Sequence, residues 1–272
     1  MNIRAYLSGN PTHDGVIKAF AEGCGAELVR AWKYEPSDIA VVFGVYKSKI
    51  KASWERGKII QKQRDKNLDV IVLETGYINR GDGENHHYAA GWNGLNGRAN
   101  FKTKGVDGER WKKLNTQLRP YSRGEKILLC GQVPWDASCE GSDHKKWVKT
   151  TAAMLKKVTD RPIVVRPHPL AVDALPPILD CEYSTAPLEA DFLTAHAVVT
   201  WNSNTAVDAL IWGKPVFAFD EGSMAWDIAN KSLLDIDTPE YPRRETWANE
   251  LAYKQWTTEE MRQGLAWKHL SR

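Results

Sequence analysis

At 272 residues, with 42% hydrophobic and 26% charged residues, the chain has ordinary globular composition and room for one large domain or two small ones. That excludes disordered and fibrous chains, and no apolar stretch is long enough to span a bilayer. The net charge of +3 conceals an asymmetry: residues 1–124 hold 21 Lys and Arg against 13 Asp and Glu, whereas residues 125–272 hold 16 against 21. A basic half is the footprint of a polyanionic partner, although Lys47, Lys49, Lys51, Lys58, Lys62 and Lys66 equally suit a solvated helix face. Cys24, Cys130, Cys139 and Cys181 form no CxxC pair and fit reduced thiols. The start, MNIRAYLSGN, has too short an apolar run for a signal peptide, so a soluble cytoplasmic protein is expected.

In chain order, Ile3–Leu7 reads as a strand, followed by a Ser-Gly-Asn-Pro break and a helix from about His13 to Cys24, with Asp14 favourably placed near its positive end. Ile39–Val45 is a second strand, Lys49–Lys66 a basic helix and Leu68–Leu73 a third strand ending at Glu74. This alternation predicts a doubly wound parallel sheet. Residues 78–101 are rich in glycine and asparagine and lack periodicity, which predicts a long functional loop anchored by Tyr77, Tyr88, Trp92 and Phe101. Glycine there permits close backbone approach, so Arg80, Trp92, Asn96 and Arg98 are candidate contacts to a polar acceptor, with Trp92 or Trp54 offering a stacking face. Asp82, Glu84, His86 and His87 lack the spacing of a metal-ligand set, and no metal is assigned.

A boundary is expected at Pro120–Gly124. The strand Ile127–Cys130 ends in Gly131 and Gln132, where a glycine admits a phosphate or sugar closely. A helix over about Asp143–Val158 leads to the strand Pro162–Val165, which runs into Arg166-Pro167-His168-Pro169, a cation and an imidazole held between prolines. After shorter elements near Cys181–Ser184 and Leu188–Thr194 comes a βαβ unit: strand Ala197–Thr200, polar turn Asn202–Thr205, a helix through Ile211, and strand Pro215–Phe219. Ser203, Asn204 and Thr205 are expected to cap that helix and to present free amides to an anion at the carboxyl edge of the sheet. Trp247–His269 reads as one or two helices with a cap at Thr257 or Thr258.

The pairing of RPHP (166–169) with SNTAVDALIWGKPV (203–216) resembles the C-terminal nucleotide-sugar domain of GT-B glycosyltransferases over about Ile127–Phe219. It is similar in particular to capsule-polysaccharide-type transferases and to bacteriophage enzymes that glycosylate hydroxymethylated bases in DNA. The resemblance implies an α/β, GT-B-like fold of two Rossmann-like parallel-sheet domains facing a cleft. Residues 1–122 would bind the acceptor, with 247–272 packing back on them, and residues 123–246 would bind the nucleotide sugar. Gly131, Gln132, Arg166, His168, Ser203, Asn204 and Thr205 would then hold the nucleotide sugar, and Asp208 would take a ribose-binding position where such helices often carry glutamate. In the first domain His13 and Asp14 would face the acceptor, and the general base would be Glu74, Asp82 or His13.

The expected activity is therefore transfer of a sugar from a nucleoside diphosphate sugar, of the UDP-glucose type, to a hydroxymethylated pyrimidine in double-stranded DNA. No metal is required for that scheme. A surface-glycan transferase, a sugar-nucleotide epimerase and a non-catalytic nucleic-acid-binding module are the alternatives.

Overall fold

The computed structural model describes residues 1–45, 51–80, 85–139 and 141–272, with side chains from residue 55 onward in the segment that begins at 51. In chain order the elements are β1 (Ile3–Leu7), α1 (Pro11–Cys24), β2 (Glu27–Arg30), β3 (Ile39–Phe43), α2 (Lys51–Arg64), β4 (Asp69–Thr75), β5 (His87–Trp92) and α3 (Glu109–Lys113). There follow β6 (Lys126–Cys130), α4 (His144–Val158), β7 (Ile163–Arg166), β8 (Glu182–Tyr183), α5 (Leu188–Thr194), β9 (Ala195–Thr200), α6 (Thr205–Ile211) and β10 (Val216–Ala218). The chain finishes with α7 (Glu245–Ala252), β11 (Gln255–Thr257), α8 (Thr258–Arg262) and α9 (Leu265–Leu270). Two compact units result: Met1–Asn115 joined by Trp247–Arg272, and Thr116–Thr246. Among the described residues no helix is long and apolar enough to cross a membrane.

The sheet of the first unit has the order β11-β5-β4-β3-β1-β2, parallel from β2 to β4 and antiparallel at β5 and β11. The two-residue period of a strand sorts its side chains. Ile3, Ala5, Ile39, Val41 and Phe43 pack with Ile17 and Phe20 of α1, while Tyr6, Ala40 and Val42 pack with Ile59 and Ile60 of α2. Strands covered on both faces read as continuous apolar runs, and IAVVF in β3 is fully buried. Asn10 caps α1 by accepting from the amides of Thr12 and His13, and Gly25, at φ 70, ends it.

Residues 78–101, read from sequence as a loop, contain β5. Its Tyr88 and Ala90 turn into the core beside α1, but the small residues between them hide the alternation. Gly91 belongs to this packing, because a Cβ there would lie 2.7 Å from Cε1 of Phe101. Three of the asparagines, Asn79, Asn93 and Asn96, hold positive φ of 54, 59 and 52, so they make turns. The C-terminal region is likewise helical only in part. β11 interrupts it and pairs Trp256 with Tyr88, and Gln255 Oε1 accepts from the amides of Tyr77 and Ile78. Thr257 caps α8 in a reciprocal box with Glu260.

The sheet of the second unit is wholly parallel, in the order β10-β9-β6-β7-β8. Val148, Ala152 and Leu155 of α4 cover one face against Ile127, Leu129, Val165 and Val199. In doubly wound sheets the crevice that receives a ligand opens at the carboxyl ends of the two strands where the order reverses. Those strands are β6 and β9 in the second unit, and β1 and β3 in the first.

Candidate active site

In the second unit β6 exits into Gly131-Gln132 and β9 into Trp201-Asn202, and the two exits are stapled together. Gln132 Oε1 accepts from the Asn202 amide at 2.9 Å while Gln132 Nε2 donates to Asn202 Oδ1 at 2.7 Å. Asn202 Nδ2 donates onward to the Ser138 carbonyl and to Asp220 Oδ1, each at 2.7 Å. Gln132, expected to touch the nucleotide sugar, is therefore buried and engaged in holding the crevice open at a fixed width. Asn202 is the partner that sequence reading assigned only to the polar turn. At Gly131 the absent side chain makes room for Leu175, whose Cδ2 would lie 2.8 Å from a Cβ.

The Gln132 amide donates to Nε2 of His144 at 2.8 Å, which places the ring proton of this buried histidine on Nδ1. Burial pushes its pKa down to about 4. The folded chain thus keeps His144 neutral while the unfolded chain takes up a proton near pH 6.5. Stability is unaffected by this group above that pH and falls as the pH drops toward about 4, the total loss amounting to roughly 3 kcal/mol. His87, His168, His196 and His269 are also shifted down, each chiefly by burial, and act in the same direction. Urea midpoints measured across this interval are expected to fall with pH and to fall less steeply in His144→Gln; a flat profile would contradict the assignment.

The nucleotide-binding residues expected from sequence separate into free and engaged groups. Arg166 is engaged: its Nη1 donates to Asp191 Oδ2 at 2.6 Å and to the Ala186 carbonyl, and Asp191 Oδ1 accepts from Ser184. This nearly buried pair pins β7 to α5 and balances the charge expected for a diphosphate. His168 is better placed to meet a ligand. Its Nδ1 accepts from the Leu170 amide at 3.1 Å, which leaves Nε2 as the donor, and burial lowers the ring's pKa.

The anion site expected at the start of α6 is not formed as expected. Asn204 occupies the N-cap position without a side-chain cap, and Ser203 Oγ accepts from the Thr205 amide. The amides of Ala206, Val207 and Asp208 turn back onto the carbonyls of Ser203 and Asn204, so the first amides of this seven-residue helix are already bonded. Asp208 lies in its first turn. Trp135, on the loop after β6, is 48% exposed and was not singled out in the sequence.

In the first unit the carboxyl edge carries an aromatic row. His13 stacks on Phe43 with ring centroids 4.1 Å apart, Phe43 meets Tyr88 edge-on, and Tyr88 stacks on His86 at 4.3 Å. His86 Nε2 is buried without a hydrogen-bond partner, whereas His87 turns away and donates from Nδ1 to the Asn85 carbonyl. Beside this row Gly44, at φ 71, leaves β3 with no side chain, and Arg56 and Glu74 converge over it: a Cβ there would lie 3.2 Å from Arg56 Nη1 and 3.5 Å from Glu74 Oε2. Burial lowers the Arg56 pKa, and the facing Glu74 charge opposes that shift. Glu74 and His13 therefore share one edge. Asp82, the third candidate base, lies outside the described residues, as do Glu84 and the side chain of Trp54.

The expected acceptor residues do not gather there. Asp14 is occupied within the β1–α1 loop, its carboxylate accepting from the amides of Ser8 and Gly9 and from the Ser8 hydroxyl. Trp92 pairs with Ile71, three residues before Glu74 and so roughly 10 Å back along the strand. Its ring packs on Trp267 and its Nε1 donates to the Leu270 carbonyl. Asn96, a turn residue accepting from the Tyr77 hydroxyl at 3.4 Å, and exposed Arg98 follow from that far end. Arg80 is exposed beyond β4.

No protein-family model and no curated protein matches the chain. Among solved structures it is similar to Thermosulfurimonas dismutans KpsC, beta Kdo 2,4 transferase, with a TM-score of 0.60 and 14% identity over 93% of this chain and 90% of that one. Thermosulfurimonas dismutans KpsC, beta Kdo 2,7 transferase, aligns with a TM-score of 0.53 and 14% identity over 100% of both chains. The fold is thus the α/β fold of GT-B glycosyltransferases, built here on two sheets rich in parallel strands.

Proposed function

We propose that the chain is a glycosyltransferase that moves a sugar from a sugar nucleotide to a hydroxyl of a surface glycan. The observation that carries this is the alignment of nearly the whole chain with two Kdo transferases, the sugar-transfer class its RPHP and SNTAVDALIWGKPV segments also resemble. The nucleotide occupies the crevice at the ends of β6 and β9. His168 Nε2 donates to the departing phosphate, and Trp135 offers a face to the base. Glu74 takes the proton of the acceptor hydroxyl as that oxygen bonds the anomeric carbon. The electron pair of the breaking carbon–oxygen bond leaves on the phosphate.

A hydroxymethylated pyrimidine in DNA is the second acceptor, favoured by charge. The first unit holds 23 Lys and Arg against 16 Asp and Glu, and the second 14 against 18. Against it, Trp92 and Asn96 are engaged in packing and turns. The test is mass spectrometry after incubation with a panel of sugar nucleotides and two acceptors, a Kdo-terminated glycan and hydroxymethylcytosine DNA. A sugar-sized gain on the glycan is expected. Gain on the DNA alone would exchange the acceptors, and gain on neither would overturn the transfer.

A further inference from the structure

At the opposite end of the second sheet, where β6 and β9 begin, lies an open cavity of about 310 Å³ lined by Arg123, Arg161, His196, Asp237 and Tyr241. It is of the size that holds a small ligand. Nothing in the transfer reaction uses it, since both strands present their carboxyl ends to the nucleotide crevice.

Its polar groups are unevenly satisfied. His196 is only 3% exposed, and its Nε2 donates to the Ile236 carbonyl at 3.0 Å, so Nδ1 carries the lone pair; that Nδ1 has no hydrogen-bond partner. A buried acceptor of this kind calls for a donor. Asp237 Oδ1 is shared between Arg161 Nε at 2.8 Å and the Thr159 hydroxyl at 2.7 Å. Arg161 Nη1 reaches the Gly124 and Glu125 carbonyls only at 3.4 Å, both long. Arg123 is exposed and enters none of the ion pairs among the described residues. Two guanidiniums therefore face one carboxylate, a surplus of one positive charge beside an acceptor that lacks its donor.

We propose that this cavity binds a small hydroxylated oxyanion, its charge held by Arg123 and Arg161 and its hydroxyl donated to His196 Nδ1. A sugar acid and a phosphate monoester share that chemistry. Arginine pairs with either anion through its fork of donors. The site stands apart from the transfer machinery, so its failure and the failure of the transferase assignment are separable.

Isothermal titration of the full chain with gluconate, inorganic phosphate and propionate tests it. Saturable binding of gluconate or phosphate is expected, with Kd at or below about 1 mM. Gluconate alone would mark the ligand as a sugar acid, and phosphate alone as a phosphate ester; both support the site. Arg123→Ser, an exposed change, is expected to weaken binding about tenfold, and Lys149→Ser, an equal loss of charge on α4, to leave it unchanged. Propionate, which has charge but no hydroxyl, is expected to bind at least about tenfold more weakly than the better bound of gluconate and phosphate. Absence of saturable binding, equal weakening by the two substitutions, or propionate binding as tightly as the better bound of those two would each overturn the proposal.

Discussion

Glu74→Gln is expected to lower kcat by about 10²- to 10⁴-fold while leaving the unfolding midpoint and sugar-nucleotide affinity nearly unchanged. Glu74 ends β4 at the carboxyl edge of the first sheet, and one of its oxygens already accepts from the Thr75 amide. The other converges with the Arg56 guanidinium over Gly44, in a place where the backbone has been stripped of a side chain. That leaves an oriented carboxylate on the α2 side of the carboxyl edge, while His13 and Phe43 lie at the same edge on the α1 side. The amide of glutamine preserves the size and the bond from Thr75 but has no basic oxygen, so a base would lose its function and a merely structural residue would not. Steady-state kinetics with the acceptor identified by mass spectrometry measures this. A loss below about tenfold would pass the role to His13, with His13→Asn then carrying the larger effect.

Arg110→Ala is expected to cost about 3–5 kcal/mol of stability, a loss of two to three and a half powers of ten in the folding equilibrium. Arg110 on α3 is buried and forks onto Glu260, with Nη1 to Oε1 at 2.7 Å and Nη2 to Oε2 at 3.0 Å. It also donates to the carbonyls of Ala252 and Gln255 and lies 3.8 Å above the ring of Trp256. Burial alone would raise the Glu260 pKa, and the guanidinium overrides it, holding the carboxyl below its ordinary range. Truncation leaves the largely buried Glu260 carboxylate with only the Thr257 amide and takes a donor from two carbonyls, which is why the loss exceeds that of a surface ion pair. Arg110→Lys is expected to recover only part of the loss, because an ammonium cannot fork. Urea unfolding measures both, and a loss under about 1 kcal/mol for the alanine variant would mean that solvent screens the pair.

The elements with strong periodicity were legible in the sequence, and those whose conformation is imposed by a neighbour were not. β3, β6 and β9 are apolar runs that any buried parallel strand shows, and the turn from α6 to β10 announced itself through Gly213 and Pro215. β5 is a strand because it pairs with β4 and β11, and β11 because it pairs with β5, a pairing that joins residues 168 positions apart, as at Tyr88 and Trp256. Site residues divided in the same way. The strand exits at Gly131, His168 and Glu74 could be located from the chain, since a strand end is a local event. Whether each group was free was a tertiary matter: Asp191 lies 25 residues from the Arg166 it neutralises, and Asn202 lies 70 from the Gln132 it binds. Polarity alone could not tell which of four consecutive polar residues would cap α6, because Ser203 and Thr205 satisfy one another.

The split of the first unit between two stretches of chain sets an order on its birth. Residues 1–115 leave the ribosome with β5 unpaired along one edge and with the face of α1 that receives Met261, Ala266 and Leu270 still bare. Both remain open until some 130 further residues have been made, by which time Thr116–Thr246 has all of its own strands and can close first. The later-synthesised unit is then able to close first, and the open edge of β5 waits for a strand encoded 168 positions downstream, as at Tyr88 and Trp256.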